Sequence, residues 1–260
     1  MKLYCFDGGR CTWDQGMFTH LHGWGQRRPI PIPFFLIEHP QGLVLFETGM
    51  HPLTATDPIA HCGEARVLDV DPQMRPDQAV VPQLAKLGIA PSDIRYVVIS
   101  ALFSDHAGGM EFFPDATFVV QFRELQDAWW QDTRVTTTYN YNDIRNTRNF
   151  RFHQLYDEDL DLFGDGSIEI LFTPAHARGE QSLVVRLPQT GTVVFPAGVI
   201  PQKKTLEMNV TTGTPRLDPT LIHRSMDRLK RIIRKENATV IFHHDPDTWP
   251  EVKLAPEFYA

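Results

Sequence analysis

Short apolar runs punctuated by Gly, Pro and Asp dominate the first half of the chain. Residues 33–38 and 43–47 predict two paired strands around the turn Pro40-Gln41-Gly42. Residues 76–87 predict a helix, because Ala79, Val80, Gln83, Leu84 and Leu87 recur at spacings of three and four and Gly88 supplies the stop. Pro82 inside that stretch implies a kink or a late helix start. The β-branched run at residues 95–100 predicts a buried strand that ends directly at residues 101–109. A further strand is expected at residues 117–122, leading into a short helix that holds Trp129 and Trp130. Later strands are expected at residues 167–172, 182–187, 192–195 and 239–242. The clearest helix lies between the last two. Asp218 is its N-cap and Pro219 its first position; Leu221, Ile222, Met226, Leu229, Ile232 and Ile233 form one apolar stripe, and Asp227 pairs with Arg231.

Strands and helices thus alternate from end to end, with no linker, repeat or low-complexity tract. The pattern reads as one α/β domain spanning residues 1–260. Two stretches do not fit it. Residues 11–33 are aromatic and polar, and residues 132–149 are rich in Thr, Asn, Tyr and Arg. Both are expected to be long loops, serving as functional lids or else as surface crossings or subunit contacts.

Composition adds exclusions. With 42% hydrophobic and 22% charged residues the chain can bury a sizeable core. A formal charge of −7 argues against nucleic acid or an anionic membrane as the main partner, since both select clustered Lys and Arg. Cys5, Cys11 and Cys62 form no CxxC pair and read as reduced thiols. No apolar run approaches the roughly 20 residues that span a bilayer. The first residues show no signal-peptide core, so the expected location is cytoplasmic.

Chemistry in α/β folds gathers at the C-terminal ends of strands, and three such ends carry ligand-type side chains. The strand ending at Ser100 leads to Asp105 and His106; the one ending at Phe172 leads to His176; the one ending at Phe242 leads to His243, His244 and Asp245. A lone His at a strand end is commonly structural, but three together point to a shared site. Ser104 beside Asp105 and His106 has the composition of a catalytic triad, yet sequence neighbours do not readily line up as nucleophile, base and orienter. Attack by Ser104 with His176 or His244 as base is therefore a minor alternative. His20 and His22 form a His-x-His pair, on a loop.

The segment Ala101-Leu102-Phe103-Ser104-Asp105-His106-Ala107-Gly108-Gly109 resembles the His-x-His-x-Asp-His motif of the metallo-β-lactamase superfamily. The similarity is greatest to its N-acyl homoserine lactonase branch. Lys2-Leu3-Tyr4 with Gly9-Arg10-Cys11, Glu47-Thr48-Gly49-Met50, Thr173-Pro174-Ala175-His176 with Gln181-Ser182-Leu183, and Phe242-His243-His244-Asp245 all share in it. The resemblance implies a four-layer αββα sandwich with the active site along one edge of two sheets, a small-molecule substrate and a homodimer.

The same resemblance exposes departures. Lactonases of this branch hold two metals. The first is usually bound by the two leading histidines, here Ala101 and Phe103, and by the histidine after Thr-Pro, here His176. The bridging aspartate falls at Gly198 or Val199, the assisting tyrosine near Pro201, and the supporting aspartate at Glu47. A single remaining ligand does not hold a divalent ion against water. The first position is therefore expected to be lost, with Phe103 filling it. Asp105, His106 and His244 survive as a sufficient set for one Zn2+ or another divalent ion. The leading expectation is a hydrolase of a lactone, ester or related carbonyl compound that uses one metal-activated water, with His176 assisting. Ala101, Phe103, Phe18, Trp24 and Gly198 are its expected pocket residues, with Trp13 beside the two loop aromatics. Two alternatives stand beside it: a metal-free enzyme doing acid–base chemistry with Asp105, His176 and His244, and a non-catalytic binding protein that keeps the cleft.

Overall fold

The computed structural model describes residues 1–131, 139–213 and 218–260. Two mixed sheets carry the architecture. The first has the strand order β1 (Lys2–Asp14), β2 (Arg27–His39), β3 (Gly42–Phe46), β4 (Ile94–Val98), β5 (Thr117–Gln121) and β6 (Arg151–Leu155). Its first three strands are antiparallel and the rest run parallel. The second comprises β7 (Leu160–Asp161), β8 (Ile168–Phe172), β9 (Gln181–Leu187), β10 (Gly191–Phe195) and β11 (Thr239–Val240), of which only β10 and β11 pair in parallel.

The period-two geometry of a strand explains the layering. Along β2, Phe35 and Ile37 face the second sheet and meet Phe195, Leu183 and Ile170, while Phe34 and Leu36 face outward. That outer face is covered by α3 (Val80–Lys86), α5 (Phe122–Trp129) and α6 (Tyr141–Ile144), through Val80, Leu84, Leu125, Ala128 and Ile144. The other outer face, Leu171, Val184 and Val194, is covered by Ile222, Met226 and Leu229 of α8 (Pro219–Lys235). The result is the αββα sandwich. The remaining helices α1 (Pro58–Cys62), α2 (Glu64–Val70), α4 (Ser104–Ala107) and α7 (Lys203–Met208) sit on loops at or near the sheet ends. No helix among the described residues is long and apolar enough to cross a membrane.

Most sequence-derived elements form, with three differences. Residues 11–33 are not one long loop: β1 continues to Asp14 and β2 begins at Arg27. Pro29, Pro31 and Pro33 lie in this strand although proline cannot donate to a ladder. They are accommodated because β3 pairs only with Phe35–His39, so among the described residues this half of β2 has no strand on its other side. The predicted helix 76–87 starts late, at Val80, because extended Ala79 separates it from the 3-10 turn Pro76–Gln78. That places Pro82 in the first turn, where a missing N–H costs nothing. β6, which was not expected, is a largely exposed edge strand with no apolar alternation to reveal it. Within the other stretch, 132–149, residues 132–138 lie outside the described residues; α6 and the 3-10 turn Arg145–Thr147 follow.

Asp218 caps α8 as expected, its carboxylate accepting the Thr220 N–H at 2.8 Å.

Candidate metal centre and its cleft

The C-terminal ends of β3, β4, β8, β10 and β11 converge on one edge of the sandwich. After β4 the chain enters α4, which presents Asp105 and His106. Thr48, just past β3, clamps this turn: its N–H and hydroxyl both donate to the His106 carbonyl, at 2.7 and 2.9 Å, and its Oγ1 accepts the Gly109 N–H at 3.0 Å. Gly108 is required by the same close approach, since a Cβ there would lie 2.3 Å from the His51 nitrogen.

Asp105, His106 and His244 form the one group of three or more His, Cys, Asp or Glu side chains, among the described residues, whose ligand atoms are mutually within 4.8 Å. His106 Nε2 lies 3.3 Å and His244 Nε2 3.4 Å from Asp105 Oδ2. The opposite edge of each ring is held. His244 Nδ1 donates to the Pro31 carbonyl at 3.1 Å, and His106 Nδ1 lies 3.3 Å from Glu47 Oε1. A residue's N–H and C=O leave an antiparallel strand on the same side. Pro31, which lacks the N–H, therefore turns its carbonyl toward the unpaired side of β2, where His244 meets it. With both Nδ1 atoms engaged, the two Nε2 atoms and one carboxylate oxygen converge. That is the donor arrangement a divalent ion requires.

The electrostatics follow from burial and neighbours. Burial pushes the His106 imidazole down, but the carboxylates of Asp105 and Glu47 outweigh it and lift the group to about 10. Burial dominates at His244 and lowers it to about 3. Glu47 is fully buried; burial alone would raise its carboxyl, but His106 and His243 hold it down to about 2. It also accepts the Ser100 N–H. Its backbone adopts φ +63°, a strained conformation held by these contacts. His243, the other half of the His-His pair, is wholly buried and packed edge-on against Phe35, Phe46 and Phe195.

The other half of the motif is built differently. Ala101 is fully buried, and the Phe103 ring packs between His176, at 4.9 Å, and Tyr139, at 4.8 Å. His176 Nδ1 lies 2.8 Å from Oε2 of Glu180, a wholly buried carboxylate, as a charge contact without hydrogen-bond geometry. The two side chains occupy the space beside Gly198. A Cβ at Gly198 would fall 1.9 Å from His176 Cε1 and 2.5 Å from Glu180 Oε1. A second buried acid stands nearby: Glu124 accepts the Leu102 N–H at 2.8 Å, and burial raises its carboxyl to about 7.

The remaining candidates are dispersed. Trp13 and Phe18 are buried with their rings 5.7 and 5.8 Å from His244 and cover it. Trp24 is 53% exposed and lies over Gly16. His22 is exposed, and neither it nor His20 joins the ligand cluster. Ser104 is half-buried and lines a cleft with Asp105. All three cysteines are free, and burial raises the thiols of Cys5, Cys11 and Cys62, as expected for inert thiols. Sequence reasoning missed Glu180 and Glu124. The first had a faint signal as an acid four residues after His176; the second had none, because it comes from α5.

Residues 27–244 match the family model of the metallo-beta-lactamase superfamily. The chain is 36% identical over 264 residues to the N-acyl homoserine lactonase AttM of Azorhizobium caulinodans, covering all of this chain and 98% of that protein. It is 27% identical over 257 residues to the N-acyl homoserine lactonase AiiA of Bacillus thuringiensis subsp. kurstaki, covering 99% and 98%. Among solved structures it is similar to an N-acyl homoserine lactone hydrolase with the product N-hexanoyl-L-homoserine at its catalytic metal centre. The TM-score is 0.88 at 26% identity, covering 99% of this chain and 98% of that one.

Proposed function

The chain belongs to the metallo-β-lactamase superfamily, and we propose that it is a lactone hydrolase working from a single metal position formed by Asp105, His106 and His244. The observation that carries this reading is the pair of oriented imidazoles, each with Nδ1 held by a buried oxygen and Nε2 turned to Asp105. The N-acyl homoserine lactonases AttM and AiiA, which match over nearly the whole chain, make a lactone the substrate class.

A divalent ion at this position supplies Lewis-acid polarisation and acidifies water. The chain's own residues do the rest. Glu47 and the Pro31 carbonyl fix the two rings, so no reorganisation is needed when the donors are used. Trp13 and Phe18 shield His244 from solvent. His176, backed by the buried carboxylate of Glu180, is the base that takes a proton from the attacking water. In this reading the first metal position of the two-metal lactonases is gone, and its volume belongs to His176 and Glu180, with Phe103 packed behind them.

The test is elemental analysis of protein purified with zinc available, combined with a lactone and ester screen with and without chelator. About one metal per chain and chelator-sensitive lactone opening are expected. Absence of stoichiometric metal sinks the reading: turnover that survives chelation then selects a metal-free enzyme, and tight lactone binding without turnover selects a binding protein.

A further inference from the structure

A second histidine–carboxylate assembly, separate from the ligand cluster, faces the same cleft. His61 Nε2 lies 2.6 Å from Asp143 Oδ1, and both side chains are buried. The His61 ring stacks on His51, with centroids 4.0 Å apart and planes 12° from parallel. His51 is itself oriented: Nδ1 accepts the Leu53 N–H at 3.1 Å, so Nε2 carries the proton that bonds Glu111 Oε1 at 2.7 Å. Asn140 and Asn142 both donate to the His61 carbonyl, at 3.1 and 2.8 Å, and tie α6 to α1. Three other segments of chain, at 51–53, 111 and 140–143, are thereby committed to holding one imidazole in place.

Such an investment has a cost. Asp143 is 1% exposed, and its second oxygen, Oδ2, is buried without a hydrogen-bond partner among the described residues. A buried carboxylate with one free oxygen is destabilising unless the charge serves a partner. Here the partner is His61. The cleft it lines is lined also by Trp13, Ser104 and Asp105.

We propose that His61 is the general acid of the reaction and Asp143 its positioning residue. The inference rests on the lactone-hydrolase reading above. It assigns the proton donor that the reading leaves open, since His176, beside Glu180, is occupied in that reading with the proton of water. When the oxygen of water bonds to the carbonyl carbon, its proton passes to His176. The ring C–O bond then breaks with its electron pair on the leaving oxygen. The His61 imidazolium gives that alkoxide the proton of the ring nitrogen not engaged by Asp143. Solvent returns His61 to its protonated state and removes the proton from His176. Asp143 stabilises the imidazolium and fixes which edge of the ring faces the cleft.

The experiment compares a lactone with its thiolactone, which has the same ring but a thiolate leaving group that departs without a proton. In the metal-loaded enzyme, His61→Gln is expected to lower kcat for the lactone by about 100-fold or more, with KM changed less than about threefold. The same variant should lose less than about fivefold on the thiolactone. Asp143→Asn should show the same selective loss at about a tenfold level, and it serves as the readout if His61→Gln does not fold. Equal losses on the two substrates overturn the proposal and make the assembly an anchor for α6. Failure of the unaltered enzyme to open either ring overturns the lactone-hydrolase reading itself, and the proposal with it.

Discussion

The two halves of the motif, Ala101-Leu102-Phe103 and Asp105-His106, lie within six residues of each other yet are built on opposite principles. Around Asp105 the structure holds donor atoms apart from the chain's own hydrogen bonds: Glu47 and the Pro31 carbonyl take one edge of each imidazole and leave the other to converge. Around Ala101 and Phe103 the equivalent space is packed. His176 and Glu180 sit where a side chain at Gly198 would have to go, and Phe103 closes over them. On the proposed reading, the loss of the first ligand set is not a set of independent deletions. Gly198 permits the His176 position, His176 meets the Phe103 ring, and each change makes reversal of the others costly.

Four sets of variants test this contrast. The largest effect is expected at the donor half. Asp105→Ala should reduce bound metal from about one equivalent to none by elemental analysis, while Glu47→Gln, which only loosens the His106 ring, should weaken metal affinity by about 10–100-fold. Unchanged metal content in Asp105→Ala would end the assignment. Next comes the packed half. Phe103→Ala should cost about 3–5 kcal/mol in chemical denaturation, because it empties a buried ring volume; a loss near zero would mean that Phe103 lines open space.

Gly198→Ala should cost about 1–3 kcal/mol through overpacking against His176. Adding His176→Ala should recover part of that loss, and additivity of the two changes would show that the contact is not the cause. The smallest effect concerns Glu124. Its carboxyl is charged in the unfolded chain above about pH 4.5 but protonated in the folded chain up to about pH 7. Folding therefore takes up a proton across that interval, and stability falls as the pH rises through it. Glu124→Gln keeps the acceptor for the Leu102 N–H and has no charge to bury. Its Tm should exceed that of the unaltered protein by about 2–4 °C at pH 8, and the advantage should vanish near pH 4.5. A constant difference at all pH values would remove the buried acid from this side of the cleft.

How much of this was legible beforehand varied by residue. The strands at 95–100 and 117–122 and the helix from Pro219 were plain, because burial on a known face writes a period into the sequence. The β1–β2 hairpin was not. Its prolines contradict a strand unless one knows that β3 leaves half of β2 unpaired, and that is a fact about a third segment. Trp13 and Phe18 emerged at His244 while Trp24 did not, although all three looked alike as loop aromatics.

Periodicity along the chain marked most of the strands and helices, and motifs of neighbouring residues carried the resemblance to the family, with the layering it implies and the residue types available for metal binding. Tertiary structure alone decided how those residues are used. It joined Pro31 to His244 and Glu47 to His106, turned His176 onto Glu180, and brought His61 to Asp143 across 82 positions. The reason is physical. Orientation, protonation and excluded volume at a site are set by the partners that meet a side chain in space, and chain order does not record those partners.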